Sequence, residues 1–326
     1  MRDLLEDSGW MTRLGVFATL FLGMAFFGSG TPTAKIVTAK FPLFLAPFLR
    51  LLTAAILTTP LLIAYRKELH EISKSNWLRI AGIGSIGLVA FSLFLMTGMK
   101  MVSGVIGAMV MSLSPAAVAV GAAVFLGDRL GPRKLIAVAL SVSGVVIINL
   151  SGESLQAQSL STMVLGSLLV FGAVCSATAY SLFAKKATKQ VRPVLIIPLA
   201  AWIATLLFAI PGLYQAANFD FSQPTLEHWI ALLWWGIGPF GIGTMLWFAG
   251  LARVRASIAS GFMGVMPASG LVVSYVWLGD PFYWIHVMGF AFVLGGILMV
   301  AWAHQVGEKR AKEKGKEFSG YSTYPC

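Results

Sequence analysis

The sequence predicts an all-α polytopic membrane protein with ten transmembrane helices arranged as two inverted five-helix repeats. Three observations predict it: long apolar stretches, basic residues confined to one side of them, and a pattern that returns after 152 residues. The chain is 57% hydrophobic and only 11% charged, with a mean hydropathy of +0.81. A soluble domain carries about 25% charged residues, so this supply cannot clothe a water-exposed surface.

A helix needs about 20 mostly apolar residues to cross the hydrocarbon core. Ten stretches meet or approach this: roughly 14–36, 41–64, 78–99, 103–126, 133–150, 162–184, 193–212, 229–250, 255–278 and 282–303. They are too long and too continuous for barrel strands, and strict alternation is absent. Arg13 followed by GVFATLFLGMAFFG imitates a signal peptide. No small-x-small cleavage site precedes the next charged segment, so it reads as a retained first helix. The segment 305–326 reads as a flexible basic cytoplasmic tail.

Charge placement sets the orientation. With the N-terminus inside, only Lys35, Lys40 and Lys100 fall outside and Arg50 lies within a span; the other 20 of the 24 Lys and Arg face the cytoplasm. This positive-inside bias predicts cytoplasmic N- and C-termini and an even number of spans. It also accounts for the net charge of +11 without a nucleic-acid partner. Cys175 and Cys326 form no disulfide framework and no metal site.

The returning pattern links MSLSPAAVAVGAAVFLGDRL to MGVMPASGLVVSYVWLGDPF. At a spacing of 152, Trp77 matches Trp229, Gly84 matches Gly236, Gly98 matches Gly250, Pro115 matches Pro267 and Gly144 matches Gly296. Leu126-Gly127-Asp128 matches Leu278-Gly279-Asp280. At a spacing of 151, Lys35 matches Lys186, Pro42 matches Pro193 and Pro60 matches Pro211. One residue of slip in a loop reconciles the two sets. Five spans per copy invert the second copy, which is a recurring plan of secondary transporters. The copies are placed at 13–150 and 160–303.

Within this frame Pro115 and Pro267 sit near the middle of spans four and nine, and Pro32 lies in span one. Each removes a backbone donor, so they are candidates for helix breaks or gating points. In each Leu-Gly-Asp, glycine is expected to end the helix in the left-handed region. The aspartate is then expected to cap the helix that follows.

The stretches MAFFGSGTPTAKI, FPLFLAPFLRLLTAA and LSPAAVAVGAAVFLGDRLGPRKLIAVALSVSGVVII, with CSATAYSLFAKK as a weaker second copy, resemble the EamA-like transporters of the drug/metabolite transporter superfamily. The resemblance covers about residues 13–303. It departs where Asp128 stands in place of the family's usual Glu before Arg129, where Pro281 follows Asp280, and where Phe27-Gly28-Ser29 replaces a Trp-Gly pair. The resemblance implies a central path lined by helices one, three, four, six, eight and nine. It also implies movement of a small solute across a prokaryotic inner membrane, often export of an amino acid or other metabolite. Uptake or exchange of an organic anion is the alternative carrier function, and a scaffold or sensor the non-transporting one.

Arg50 is the sharpest single candidate in the path. A span starting at residue 41 places its Cα roughly 13 Å into the membrane, where a charge is costly. It could hold a carboxylate or phosphate, or serve structure. Ser29, Thr31, Ser114, Thr178, Tyr180, Trp235, Trp247 and Tyr275 supply the mild polar and aromatic surface that a small amphipathic solute needs. Packing between membrane helices explains such residues equally well. Lys35 and Lys100 read as interfacial anchors near the outer face.

No Asp, Glu or His lies deep in a span, which argues against a central carboxylate switch and leaves proton coupling through the solute open. HExxH, GxSxG and paired His/Asp patterns are missing from the sequence, so catalysis and cofactors are not expected. Expected partners are a small-molecule solute and membrane lipids. One chain carries a whole path, compatible with a monomer or a homodimer.

Overall fold

The structure is a computed structural model that describes residues 10–126, 132–149, 159–188, 190–251, 253 and 260–313. Among these residues every regular element is helical. In order they are α1 (Trp10–Thr38), α2 (Leu45–Ala64), α3 (Lys74–Gly82), α4 (Phe91–Met101), α5 (Gly104–Met111), α6 (Ser114–Leu126) and α7 (Pro132–Asn149). There follow α8 (Leu160–Ala187), α9 (Pro193–Ala217), α10 (Leu226–Trp235), α11 (Thr244–Leu251), α12 (Val265–Trp277) and α13 (Trp284–Glu313). Several of these join without leaving the helical path. A π-helical stretch, Ile83–Ala90, connects α3 to α4, and another, Gly236–Gly243, connects α10 to α11.

Seven of the resulting helices are long and apolar enough to cross a membrane: Gly15–Thr38, Leu45–Ala64, Lys74–Met101, Gly104–Phe125, Leu160–Ala184, Val194–Ala217 and Leu226–Trp247. Three shorter apolar helices, Leu135–Ile147, Phe262–Trp277 and Trp284–Met299, fall on the remaining predicted spans. The protein is therefore an all-α polytopic membrane protein. Its surface agrees: Leu78, Ile210 and Val276 are 76%, 84% and 82% exposed. Water would disfavour such a surface, whereas lipid tails do not.

The two π-helical stretches begin 153 residues apart, at Ile83 and Gly236, in stretches the sequence already pairs through Gly84 and Gly236. A π turn inserts a residue into the α ladder and commonly marks a functional segment. Nothing in the apolar pattern announces it, because the inserted residue is as apolar as its neighbours.

The contact between α7 and α13 repeats itself. A side chain at Gly144 would come within 2.6 Å of the Gly289 carbonyl and 2.9 Å of Val293. A side chain at Gly296 would come within 2.7 Å of the Ala137 carbonyl and would collide with the Ser141 hydroxyl. Ala137 and Gly289, Ser141 and Val293, and Gly144 and Gly296 are each 152 residues apart. Each helix thus offers the same positions to the other, as the two sides of a two-fold interface do.

The three prolines take different places in their helices. Pro32 lies inside an unbroken α1. Pro115 lies near the middle of the span Gly104–Phe125, where the turn Ser112–Leu113 separates α5 from α6, and is the second residue of α6. The missing Pro115 amide frees the Met111 carbonyl, which accepts the Ser114 hydroxyl at 2.6 Å. Pro267 is likewise the third residue of α12, after the 3-10 turn Ser260–Gly264. In both places proline sits in the first turn of a helix, where its absent donor has no partner to lose.

The end of the chain differs from its expectation too. Helix α13 continues to Glu313, so residues 305–313 are helical, and 314–326 lie outside the described residues.

Candidate functional site: an apolar cleft and a buried arginine

A half-open apolar groove of about 520 Å³ lies between α6, α7 and α8, its rim formed by the exposed Val124 and Phe125. Ala117, Val120, Val138, Val142 and Phe171 form apolar walls, and Cys175, Thr178 and Lys186 supply the polar atoms. The cleft occupies the half of α6 after Leu113 and the half of α8 that ends at Lys186. Its helices approach each other through Gly121, where a Cβ would meet the Thr178 methyl at 2.7 Å.

A separate contact joins α5 to α12. There, α12 leads through Gly279, whose φ of 67° is the left-handed helix-ending conformation expected for Leu-Gly-Asp. Asp280 does not cap its own following helix, contrary to the expectation. Its carboxylate accepts the Val105 amide at 3.0 Å, at the start of α5 in the other half of the sequence. An anion there also complements the positive end of the α5 dipole. Burial raises the Asp280 carboxyl above its ordinary value, while the Val105 amide, the charge of Lys35 and the Gly104 amide act in the opposite direction. Lys35 itself donates to the Met99 carbonyl at 2.7 Å. A Cβ at Gly104 would lie 2.7 Å from the Ser274 hydroxyl, so α5 and α12 are in tight contact. The matching Asp128 lies outside the described residues.

Arg50 forms a second centre. Helix α2 begins at Leu45, so the Arg50 Cα lies roughly 7.5 Å along it. The residue is only 6% exposed. Its guanidinium lies 4.0 Å from the ring centroid of Trp235 and 5.8 Å from that of Phe91. Trp235 is itself buried, at 1% exposed. Helix α10 can bring that ring so near because Gly236 has no side chain: a Cβ there would be 2.9 Å from the Arg50 carbonyl.

The other sequence candidates are scattered, and many of their polar atoms are used within the fold. Ser29 donates to the Phe26 carbonyl and accepts from Trp234 Nε1 at 3.0 Å, joining α1 to α10. Thr31 is buried with its methyl toward Gly107. The Ser114 hydroxyl serves Met111, and Thr178 donates to the Val174 carbonyl while lining the cleft. Tyr180 packs on Gly87 in the first π-helical stretch. Trp247 is half-buried, with its backbone close to Gly23. Tyr275 shares a 2.9 Å hydrogen bond with His286 Nδ1. Only Thr178 among these lines the cleft. Sequence reasoning missed Phe91 as a partner of Arg50 and Lys186 as part of the cleft. For Lys186 the signal was present in its match to Lys35.

An all-α chain with seven helices long and apolar enough to cross a membrane is a polytopic membrane protein by class. The EamA-like transporter family model matches residues 14–150 and again 164–302, and the chain belongs to that family. It is 27% identical over 287 residues to "Uncharacterized transporter YetK" of Bacillus subtilis, covering 88% of this chain and 87% of that one. It is 24% identical over 221 residues to "Probable terminal-alkyne amino-acid exporter" of Streptantibioticus cattleyicolor, covering 68% and 72%. A solved crystal structure shares the fold with a TM-score of 0.59 at 17% identity, covering 88% of this chain and 96% of that chain. Family membership makes this a multi-pass transporter of small solutes and not an enzyme.

Proposed function

We propose that the protein exports a small metabolite such as an amino acid from the cytoplasm by alternating access. Ten spans in two inverted five-helix halves, 13–150 and 160–303, would form the path, with both termini cytoplasmic in a prokaryotic inner membrane. The observation that carries this reading is the unequal state of the two ends. On the predicted topology Asp280 and Val105 close the outer side, while the cleft beside Lys186 lies toward the inner side. Two inverted copies of one helix pattern provide two gates, and the exchange of open and closed ends between them moves the solute.

The α7–α13 contact through Gly144 and Gly296 and the paired π-helical stretches support the inverted duplication. The exporter from Streptantibioticus cattleyicolor supports an amino-acid-like solute. A cleft with mostly apolar walls and few polar atoms suits an amphipathic metabolite better than a bare ion. Ser29, Thr31, Thr178, Tyr180, Trp247 and Tyr275 would lie along the route as the helices rearrange, and Pro115 and Pro267 would mark the turns where half-helices hinge.

Counterflow in proteoliposomes tests the proposal. Vesicles loaded with unlabelled amino acids should accumulate labelled amino acid transiently and saturably. Uptake that is linear in concentration and indifferent to the internal load would refute it.

A further inference from the structure

We infer that Arg50 is the binding point for a carboxylate of the transported solute, so that carboxylate-bearing small molecules are the substrate class. The inference rests on the transport function proposed above. Its basis is an unfinished set of hydrogen bonds. Arg50 Nε and Nη1 are both buried and have no hydrogen-bond partner. A guanidinium stays charged and carries five N–H donors, so burying it without acceptors is unfavourable unless an anion completes the site.

Nothing else among the described residues supplies that anion. The one ion pair there joins Arg192 to Glu68, elsewhere in the fold. Trp235 and Phe91 attract the cation through their ring faces but offer no hydrogen-bond acceptor. They hold the guanidinium in place without giving its N–H groups an acceptor. A carboxylate brings both a negative charge and two acceptor oxygens, the partner for which a planar guanidinium is best shaped.

The surroundings allow such a site to open and close. Trp235 ends α10, and the π-helical stretch begins at the next residue, Gly236. The wall that covers Arg50 therefore adjoins a π-helical stretch, a feature frequently found at functional sites. Because Arg50 is 6% exposed here, the solute would reach it only when that wall moves. The matching position in the second half is Ala201, so the path holds one such charge and not a symmetric pair. A single cation binds one carboxylate per cycle.

The experiment compares wild type with Arg50→Lys, Arg50→Gln and Arg50→Met, each purified, checked for monodispersity and reconstituted. Exchange is measured with L-leucine, L-phenylalanine, benzoate and the three corresponding amides, and thermal unfolding is measured in detergent without solute. The acids should exchange at least about ten times better than their amides. Arg50→Gln and Arg50→Met should lose at least about tenfold in exchange of the acids, with partial retention in Arg50→Lys. Solute-free Arg50→Met should unfold at a higher temperature than wild type, because it no longer buries an unpaired charge. Preference for leucine and phenylalanine over benzoate would identify amino acids, and the reverse organic acids. Equal exchange of acids and amides, or a lower unfolding temperature for Arg50→Met, would overturn the carboxylate site and leave transport standing. No exchange of any pooled solute by wild type would overturn the transport reading and this one together.

Discussion

Asp280 accepts a hydrogen bond from the Val105 amide across 175 residues of sequence, joining the loop after α12 to the first turn of α5. The bond ties the two halves of the chain together at one end of the path. Asp280→Ala would leave a partly buried amide without its acceptor, at a cost of about 1–3 kcal/mol. Asp280→Asn keeps an acceptor oxygen and should lose less. Thermal unfolding of the purified variants in detergent measures both.

The same carboxylate gives a pH dependence. Its folded-state value is raised, chiefly by burial, above the ordinary 3.8. Between 3.8 and the raised value, the folded protein holds a proton that the unfolded chain has released. Stability from this group is therefore fully present below 3.8 and falls as pH rises through the raised value. Asp280→Asn should flatten that part of a stability–pH profile.

Close helix contacts make a sharp set of substitutions. Gly144→Val and Gly296→Val each push a side chain into the facing helix, where carbonyls lie within 2.6 and 2.7 Å of the new Cβ. Each should cost about 1–3 kcal/mol or more and lower the yield of monodisperse protein. Gly15→Ala meets nothing within 4 Å and should be neutral or slightly stabilising. Gly279→Ala falls between these, since its φ of 67° costs an L residue about 1 kcal/mol. Size-exclusion profiles and unfolding temperatures distinguish the four.

Cys175 reports on the cleft. It is exposed there, and Cys326 is the only other cysteine in the chain. In a Cys326→Ser background, a membrane-impermeant maleimide should label Cys175 from the cytoplasmic face. A solute that exchanges in counterflow should slow that labelling severalfold. Labelling from the outer face alone would reverse the orientation assigned here.

Much of the fold was legible because lipid imposes few solutions. Apolar runs such as VLIIPLAAWIATLLFAI could only be helices. Gly144 and Gly296 matched as repeat positions, but their contact partners, Gly289 and Ala137, emerged only in three dimensions. The role of Asp280 was misread for a related reason. Side-chain oxygens choose among backbone groups according to what packs beside them, and sequence neighbours reveal only the local choices. Arg50 stood out at once as a charge in a span, but the ring that covers it lies 185 residues away, at Trp235. The π-helical stretches left no trace in hydropathy at all.

Alternating access requires α5 and α12 to separate during each cycle, and a cross-link tests that most directly. Gly104 and Ser274 are close enough for a disulfide between cysteines, since a Cβ at 104 lies 2.7 Å from the Ser274 hydroxyl oxygen. In a Cys175→Ser, Cys326→Ser background, Gly104→Cys with Ser274→Cys should support counterflow when reduced, lose it on oxidation and regain it with reductant. Undiminished counterflow through fully cross-linked protein would contradict the account.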